Sequence, residues 1–521
     1  MMKNMQRRLS KSPLYILFIG MYPVFALYYV NINEVLFLST LRAIIFSLAL
    51  VGFVYLVVFI FKRKSEKVPA IAAVFLIFFY LYGHIFNLIF DVSVDGFLIG
   101  RHRFFIPLWV SLLSVVCYAL IRTKKIKTIN YYLNLFSAIL ITITAVSIIA
   151  HAITSNRWKG PEVEQVQLQP NIAEVITPNV YYLIFDSYGR EDVLRDEFNL
   201  DNHDFIMELE QMGFVIPPCT QSNYSNTVFS LTSSLNMKYL NDFDLSKNGE
   251  IRTAEFEPYI KHSAIRQIFE QVGYQTVTVK TVYPYLDITD ATYYLDLDQG
   301  ENKLGSIESL NFQNLFMMTT ALGPAVEFFT DHSNLHIPSF IAKLAPTSNL
   351  LLDRNYRQYQ QNLYLLDALE TNIPSIPGNK FIYAHLFTTH QPFGFTPDGE
   401  FRWPVDESYD AYRDQIIYTN KRIIGMIKNI LTIEQVPPII ILQGDHSYVH
   451  TNRRVQILNA YYLPGDGNKA IYLEITPVNT FRVVLNEYFN GNYEMLDDIS
   501  YFSTEEEPYL FENAPGTCVN K

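Results

Sequence analysis

Short segments of this sequence carry residues whose types fit metal-assisted chemistry. Asp186 follows the apolar run Val180–Phe185, and Asp445 and His446 follow the apolar run Pro438–Leu442. Carboxylates and imidazoles bind Mn²⁺, Mg²⁺ and Zn²⁺, and this ligand set does not choose among the three ions. A single aspartate at a strand end is also a common helix cap. The combination of the three residues therefore carries the prediction of one divalent metal ion.

A hydroxyl-rich segment, Asn223–Asn236, is the candidate source of a nucleophile. Asn226 is placed to cap a helix that starts at Thr227. A hydroxyl in the first turn of a helix can bind a metal and attack a phosphate or sulfate, because the helix N-terminus attracts anions. Serine and threonine around a helix start are also ordinary capping residues, so this segment is weak evidence alone.

Histidines and arginines complete the set of candidate site residues. His385 and His390 lie at the end of the predicted strand Phe381–Phe387 and just beyond it. We interpret His390 as an acid–base residue, and His385 and Arg453 as substrate-binding residues. Arg453 and Arg454 follow the Asp–His pair and suit an anion, although a solvated surface pair is the alternative interpretation.

The elements that must position these residues alternate between strand-like and helix-like patterns. Buried strands are predicted at Val180–Phe185, Tyr274–Val279, Phe381–Phe387, Pro438–Leu442 and Ala460–Leu463. Amphipathic helices are predicted at Asp201–Met212, His262–Val272, Tyr356–Leu369, Tyr409–Leu431 and Val478–Phe489. This alternation predicts an α/β fold with a mostly parallel sheet between helices, which binds ligands at the carboxyl ends of its strands.

Charge divides the chain into two different parts. Residues 1–160 carry 17 Lys and Arg against 4 Asp and Glu, and the remainder carries 23 against 47. The basic part contains five apolar segments of bilayer-spanning length: Leu14–Val30, Leu41–Phe61, Val68–Phe90, Phe105–Ile121 and Tyr132–Ile153. We therefore predict a multi-pass helical bundle at residues 1–154, a linker at 155–178 and a folded domain at 179–521. The net charge of −11 excludes a generally basic nucleic-acid binder.

Basic clusters predict how the bundle is oriented in the cell membrane. With five spans, three clusters fall on one side, and the positive-inside rule makes that side cytoplasmic. They are Lys3, Arg7, Arg8 and Lys11; Lys62, Arg63, Lys64 and Lys67; and Arg122, Lys124, Lys125 and Lys127. The folded domain is then extracytoplasmic. Its Cys219 and Cys518 either form a disulfide or remain two thiols.

In the order and spacing of these residues, the chain resembles the alkaline phosphatase/sulfatase superfamily. The similar branch is the membrane-anchored one that contains lipoteichoic acid synthases and phosphoethanolamine transferases. The likeness runs from Val180 to about Asn490, and the five preceding spans match that branch's architecture. The motifs that carry it are Tyr182–Ser187, Thr227–Ser230, His385–Phe393 and Gln443–His446.

The resemblance implies a role for each motif residue. It places Asp186, Thr227, Asp445 and His446 around one metal ion, with Thr227 as the nucleophile. It places His390, and with it His385, against the transferred group or the acceptor. The implied activity is transfer of a phospho-head group, of the phosphoglycerol or phosphoethanolamine type, from a membrane lipid to an envelope glycan or lipid.

The chain departs from typical sulfatases at the nucleophile. Those enzymes carry Cys or Ser followed by x-Pro-x-Arg, and no such motif surrounds Thr227. Threonine cannot yield their formylglycine aldehyde, so phosphoryl transfer fits better than sulfate chemistry. The alternatives are a hydrolase of phosphate or sulfate esters and a non-catalytic envelope-binding membrane protein. A transport role is disfavoured because the spans are nearly free of ionisable residues.

Overall fold

The computed structural model describes residues 13–32, 35, 37–62, 65–90, 93–94, 97–98, 101–155, 177–243, 245, 249, 251–297, 307–324 and 346–518. The predicted linker lies outside the described residues except for residues 155, 177 and 178. The basic cluster before the first predicted span also lies outside them, as do Arg63 and Lys64.

The elements are labelled in chain order. The helices are α1 Tyr15–Val30, α2 Leu41–Lys62, α3 Val68–Ile89, α4 His102–Arg122, α5 Ile126–Ser155, α6 Glu191–Phe198, α7 His203–Gln211, α8 Thr227–Asn236, α9 Thr253–Lys261, α10 Ala264–Gln271, α11 Ile307–Met318, α12 Pro346–Asp367, α13 Tyr409–Ile433 and α14 Pro477–Tyr488. The strands are β1 Ser93–Val94, β2 Phe97–Leu98, β3 Val180–Phe185, β4 Gln275–Val279, β5 Tyr293–Leu295, β6 Lys380–Leu386, β7 Phe393–Phe395, β8 Phe401–Asp406, β9 Ile439–Gly444, β10 Asn459–Tyr462, β11 Tyr501–Phe502 and β12 Glu512–Asn513.

The chain divides into two compact units. One unit comprises Met1–Arg157 and Gly300–Arg354, and the other comprises Trp158–Gln299 and Asn355–Lys521. Residues 300–354 are thus grouped with the unit that holds the apolar N-terminal helices, and the boundaries predicted at 154, 178 and 521 remain a prediction.

Five apolar helices, α1 to α5, begin the first unit. Among the described residues, four helices are long and apolar enough to cross a membrane, and these are α2 to α5. The first helix has 16 residues, which at about 1.5 Å per residue is shorter than a hydrocarbon core of about 30 Å. The expected number of apolar helices is thus present, and α1 is the one that falls short of span length.

Helix α11 packs against the apolar helices of this unit. Phe312 and Phe316 are buried in the same cluster as Tyr80 of α3. The turn after α11 approaches α3 closely, since a Cβ added at Gly83 would lie 2.6 Å from the carbonyl carbon of Thr319. A glycine at this position is therefore what lets the two backbones come together.

A six-stranded sheet forms the centre of the second unit. Its strand order is β10-β9-β3-β6-β4-β5. All neighbouring strands are parallel except the edge strand β10, which pairs with β9 in the antiparallel direction. The predicted fold class, apolar helices followed by an α/β unit with a mostly parallel sheet, is confirmed.

Both faces of the sheet are buried, which explains why its central strand reads as a continuous apolar run. In β3, Tyr181, Leu183 and Phe185 belong to one apolar cluster, and the alternate residues belong to another on the opposite face. Successive side chains of a strand point to opposite sides, so a strand covered on both sides needs apolar residues throughout. Polar side chains that could take part in chemistry are therefore expected where such a strand ends.

The two cysteines of the second unit form a disulfide between Cys219 and Cys518, which decides the alternative left open by the sequence. The bond holds the C-terminal segment against loops near the end of the sheet. The carbonyl oxygen of Thr517 accepts a hydrogen bond from Arg190 over 2.7 Å, and the Thr517 hydroxyl accepts one from Gln456, also over 2.7 Å.

We expect this disulfide to stabilise the protein by about 2–4 kcal/mol, because it closes a long loop in the unfolded chain. Dithiothreitol should then lower the thermal unfolding midpoint of the purified full-length protein. The double variant Cys219→Ser/Cys518→Ser should start at the lower midpoint and not respond to reductant. Cys117→Ser, which changes the free cysteine of α4, should keep the response. An unchanged midpoint for the reduced wild-type protein would contradict this prediction.

Candidate metal centre and nucleophile

Three adjacent parallel strands bring the candidate ligands to one edge of the sheet. Phe185, the last residue of β3, pairs with Gly444 at the end of β9, so Asp186 and Asp445 emerge side by side. On the other side of β3, Ile184 pairs with His385 of β6. Strand register, rather than closeness in sequence, therefore brings these three side chains together.

The turns after β3 and β9 are held tightly against each other. The backbone N–H of Ser187 donates to Oδ1 of Asp445 over 2.9 Å, and the N–H of His446 donates to the same oxygen over 2.9 Å. A Cβ added at Gly444 would lie 2.3 Å from the carbonyl oxygen of Tyr188. Gly444 therefore permits the close approach that fixes the orientation of the Asp445 carboxylate.

Asp186, His385 and Asp445 form a buried group that can hold a cation. Each offers a ligand atom, and these atoms all lie within 4.8 Å of one another. Oδ2 of Asp445 and Nδ1 of His385 have no hydrogen-bond partner among the described residues, and Nε2 of His385 has Oδ2 of Asp186 at 3.2 Å as its polar neighbour. Buried polar atoms in native proteins nearly always have partners. Two carboxylates and an imidazole with unused ligand atoms therefore fit a divalent cation.

Thr227 lies beside this group as the first residue of α8. The side chain of Asn226 caps the helix by accepting a hydrogen bond from the N–H of Val228 over 3.0 Å, as the sequence predicts. This cap fixes the first turn, and it places Oγ1 of Thr227 3.2 Å from Nε2 of His446. Asn226 and Thr227 at the start of the helix are both half-buried, so the hydroxyl and the helix N-terminus lie at the same site.

The distances among these atoms are compatible with groups that share a metal ion. Atoms bound to one tetrahedral ion at about 2.1 Å are about 3.4 Å from each other. Thr227 Oγ1 is 3.2 Å from His446 Nε2, which is 3.6 Å from Asp445 Oδ2. Likewise, His385 Nε2 is 3.2 Å from Asp186 Oδ2. The site thus brings together the four predicted ligands and adds His385, which the sequence interpretation assigned to substrate.

The electrostatics of the site keep its ligands in the forms that bind cations. Burial acts to raise the pKa of the Asp186 carboxyl, but the charges of the nearby histidines, His390 first, outweigh it and hold that pKa below its usual range. Burial lowers the pKa of His446. Its Nδ1–H donates to the carbonyl oxygen of Ser447 over 3.1 Å, so Nε2 is the nitrogen whose lone pair faces Oγ1 of Thr227. A carboxylate and a neutral imidazole are the ligand forms of these residues.

His390 lies at the margin of the site. Its ring packs against Phe387, with 5.6 Å between ring centres, and Phe387 also contacts the His385 ring. Nδ1 of His390 hydrogen-bonds to the carbonyl oxygen of Gln391, so Nε2 is the nitrogen that remains for another partner. The half-buried position agrees with a residue that reaches a ligand from the side.

Three carboxylates neutralise the charge of Arg453, the predicted substrate-binding arginine. Its guanidinium lies 3.4 Å from Asp192, 3.1 Å from Asp196 and 3.0 Å from Glu197. A cation with three carboxylate neighbours gains little from a further anion. The structure therefore favours a structural role for Arg453, which the sequence pattern of two adjacent arginines did not indicate.

No protein-family model and no curated protein matches the chain. Solved structures match it distantly. The C-terminal periplasmic domain of EcEptC from Escherichia coli is 10% identical, with a TM-score of 0.41, covering 68% of this chain and 96% of that one. The full membrane protein lipooligosaccharide phosphoethanolamine transferase A from Neisseria meningitidis is 11% identical, with a TM-score of 0.39, covering 92% of this chain and 95% of that one. These likenesses are too distant to assign an activity.

Proposed function

We propose that the chain is a membrane-anchored, metal-dependent transferase that moves a phospho-head group from a lipid to a cell-envelope glycan or lipid. The head group is of the phosphoglycerol or phosphoethanolamine type, and the site lies on the extracytoplasmic side. One observation carries this proposal: a hydroxyl at a helix N-terminus, Thr227, contacts His446 beside the buried group of Asp186, His385 and Asp445. Nucleophile, cation ligands and an anion-attracting helix end then meet at one place.

The cation would be held by Asp186, Asp445, His446 and Thr227, with His385 alongside. When bound, a divalent ion lowers the pKa of a hydroxyl that it contacts and polarises phosphoryl oxygens. Mn²⁺, Mg²⁺ and Zn²⁺ all suit these oxygen and nitrogen ligands.

The chain's own residues carry out a two-step exchange. Thr227 loses its proton to water, its Oγ1 forms a bond to phosphorus, and the phosphorus–oxygen bond to the lipid breaks. His390 gives a proton from Nε2 to the departing lipid oxygen. In the second step the acceptor hydroxyl gives its proton to His390 and attacks phosphorus, and the bond to Thr227 breaks as its oxygen recovers a proton from water. The N–H groups at the start of α8 offset the negative charge on the phosphoryl oxygens.

Intact-protein mass spectrometry tests this proposal. Metal-loaded full-length protein, incubated with a membrane lipid extract, is expected to gain one phospho-head-group mass on Thr227. Added envelope acceptor should discharge the adduct. Release of the head group at full rate without an acceptor would instead indicate a hydrolase. Absence of any adduct or release with all three metals would argue for the non-catalytic alternative.

A further inference from the structure

Arg454 is a cation beside the candidate site that makes no salt bridge with a carboxylate in the part of the chain that the structure describes. It lies in the short helical turn Asn452–Val455 and is half-buried. Its Nε donates to the carbonyl oxygen of Ser225 over 2.8 Å, and its own carbonyl oxygen accepts from the N–H of Ser447 over 2.7 Å. Arg454 is therefore attached to both segments that carry candidate site residues.

Those attachments put the guanidinium near the nucleophile. Ser225 precedes Thr227 by two residues, and Ser447 directly follows His446. Nε2 of His446 is 3.2 Å from Oγ1 of Thr227, so the two segments that Arg454 contacts are those that carry the nucleophile and the histidine beside it.

The preceding residue, Arg453, makes contacts of a different kind. Arg453 contacts three carboxylates, whereas the contacts of the Arg454 side chain are to the carbonyl oxygens of Ser225 and Val449. Carbonyl dipoles orient a guanidinium without cancelling its charge. A half-buried, uncancelled guanidinium is an anion-binding group, because its planar N–H donors match phosphate oxygens.

We propose that Arg454 binds a non-bridging oxygen of the phosphate group that is transferred, an inference that rests on the proposed function. In this role it holds the anion for attack by Thr227 and offsets charge that builds up on the phosphoryl oxygens. The substrate class is then a phosphate ester with a free anionic oxygen.

Binding of inorganic phosphate to the metal-loaded full-length protein, measured by calorimetry, tests this inference. Arg454→Gln is expected to weaken phosphate binding about 10-fold or more, the usual loss for a charge-assisted hydrogen bond. Arg454→Lys loses the Nε–H contact to Ser225 but keeps the charge, and it should fall between the wild-type protein and Arg454→Gln. Arg252→Gln, which removes a surface arginine paired with Glu255, is the control for the loss of one positive charge. All variants should retain the wild-type metal content.

The outcomes separate this inference from the proposed function. If the wild-type protein forms the Thr227 adduct and Arg454→Gln binds phosphate equally well, Arg454 is not the anion-binding residue and the transferase proposal stands. Equal losses for Arg454→Lys and Arg454→Gln would assign the effect to the Ser225 contact and also overturn the inference. A larger loss for Arg453→Gln than for Arg454→Gln would do the same. A wild-type protein that neither binds phosphate nor forms an adduct would overturn both proposals.

Discussion

Thr227→Ala is expected to abolish covalent labelling and lower the transfer rate by about 10⁴-fold or more, the usual cost of removing a nucleophile. The change deletes the hydroxyl that lies 3.2 Å from Nε2 of His446. It leaves Asn226 free to cap α8, because that cap uses the backbone N–H of Val228. Since Asp186, His385, Asp445 and His446 all remain, the protein should stay folded and keep its metal.

Thr227→Ser is the matched variant, because it restores the hydroxyl at the same atom position. It should regain labelling, with the added mass located on the substituted residue. Rates are measured as head-group transfer from labelled lipid, and metal content by elemental analysis of the same samples. Full activity of Thr227→Ala would remove Thr227 from the mechanism, whereas loss of metal along with activity would mean that its hydroxyl is needed chiefly as a ligand.

The elements of the sheet could be predicted closely from the sequence because local patterns determine them. The strand at Val180–Phe185 is observed with the predicted bounds, and the predicted strand Pro438–Leu442 is observed at Ile439–Gly444. Continuous apolar runs identify strands that are buried on both faces. The rule that ligands bind at the carboxyl ends of such strands then selected Asp186 and Asp445, and these two residues lie within ligand distance of each other.

The features that could not be predicted from the sequence are those that depend on which elements become neighbours in the fold. His385 joins Asp186 and Asp445 because β6 pairs with β3, and strand order is not contained in the pattern of any single strand. Arg453 and Arg454 are equivalent in a sequence, and only their tertiary partners distinguish them. Helix α11 packs with the N-terminal helices of its unit, and no local pattern in its own sequence indicates those partners.

Asp445→Asn is expected to weaken metal binding about 100-fold or more, since even changes to groups that only support a ligand cost 10- to 100-fold. The contacts of the two Asp445 carboxylate oxygens show what this substitution keeps and what it removes. Oδ1 of Asp445 accepts the N–H groups of Ser187 and His446, and an amide oxygen can keep both bonds. Oδ2 has no partner among the described residues, and replacing it with an NH₂ group removes the charge and the ligand together.

Metal content and thermal stability together distinguish this effect from simple unfolding. Added metal should raise the unfolding midpoint of the wild-type protein, because binding to the folded state stabilises it, and should not raise that of Asp445→Asn. Asp192→Asn makes the same chemical change at a carboxylate that binds the Arg190 guanidinium at 2.7 and 2.9 Å. That variant should unfold at a lower temperature yet still gain stability from metal. If Asp445→Asn binds metal as the wild-type protein does, Asp445 is not a ligand, and the buried group of Asp186, His385 and Asp445 has a structural role instead.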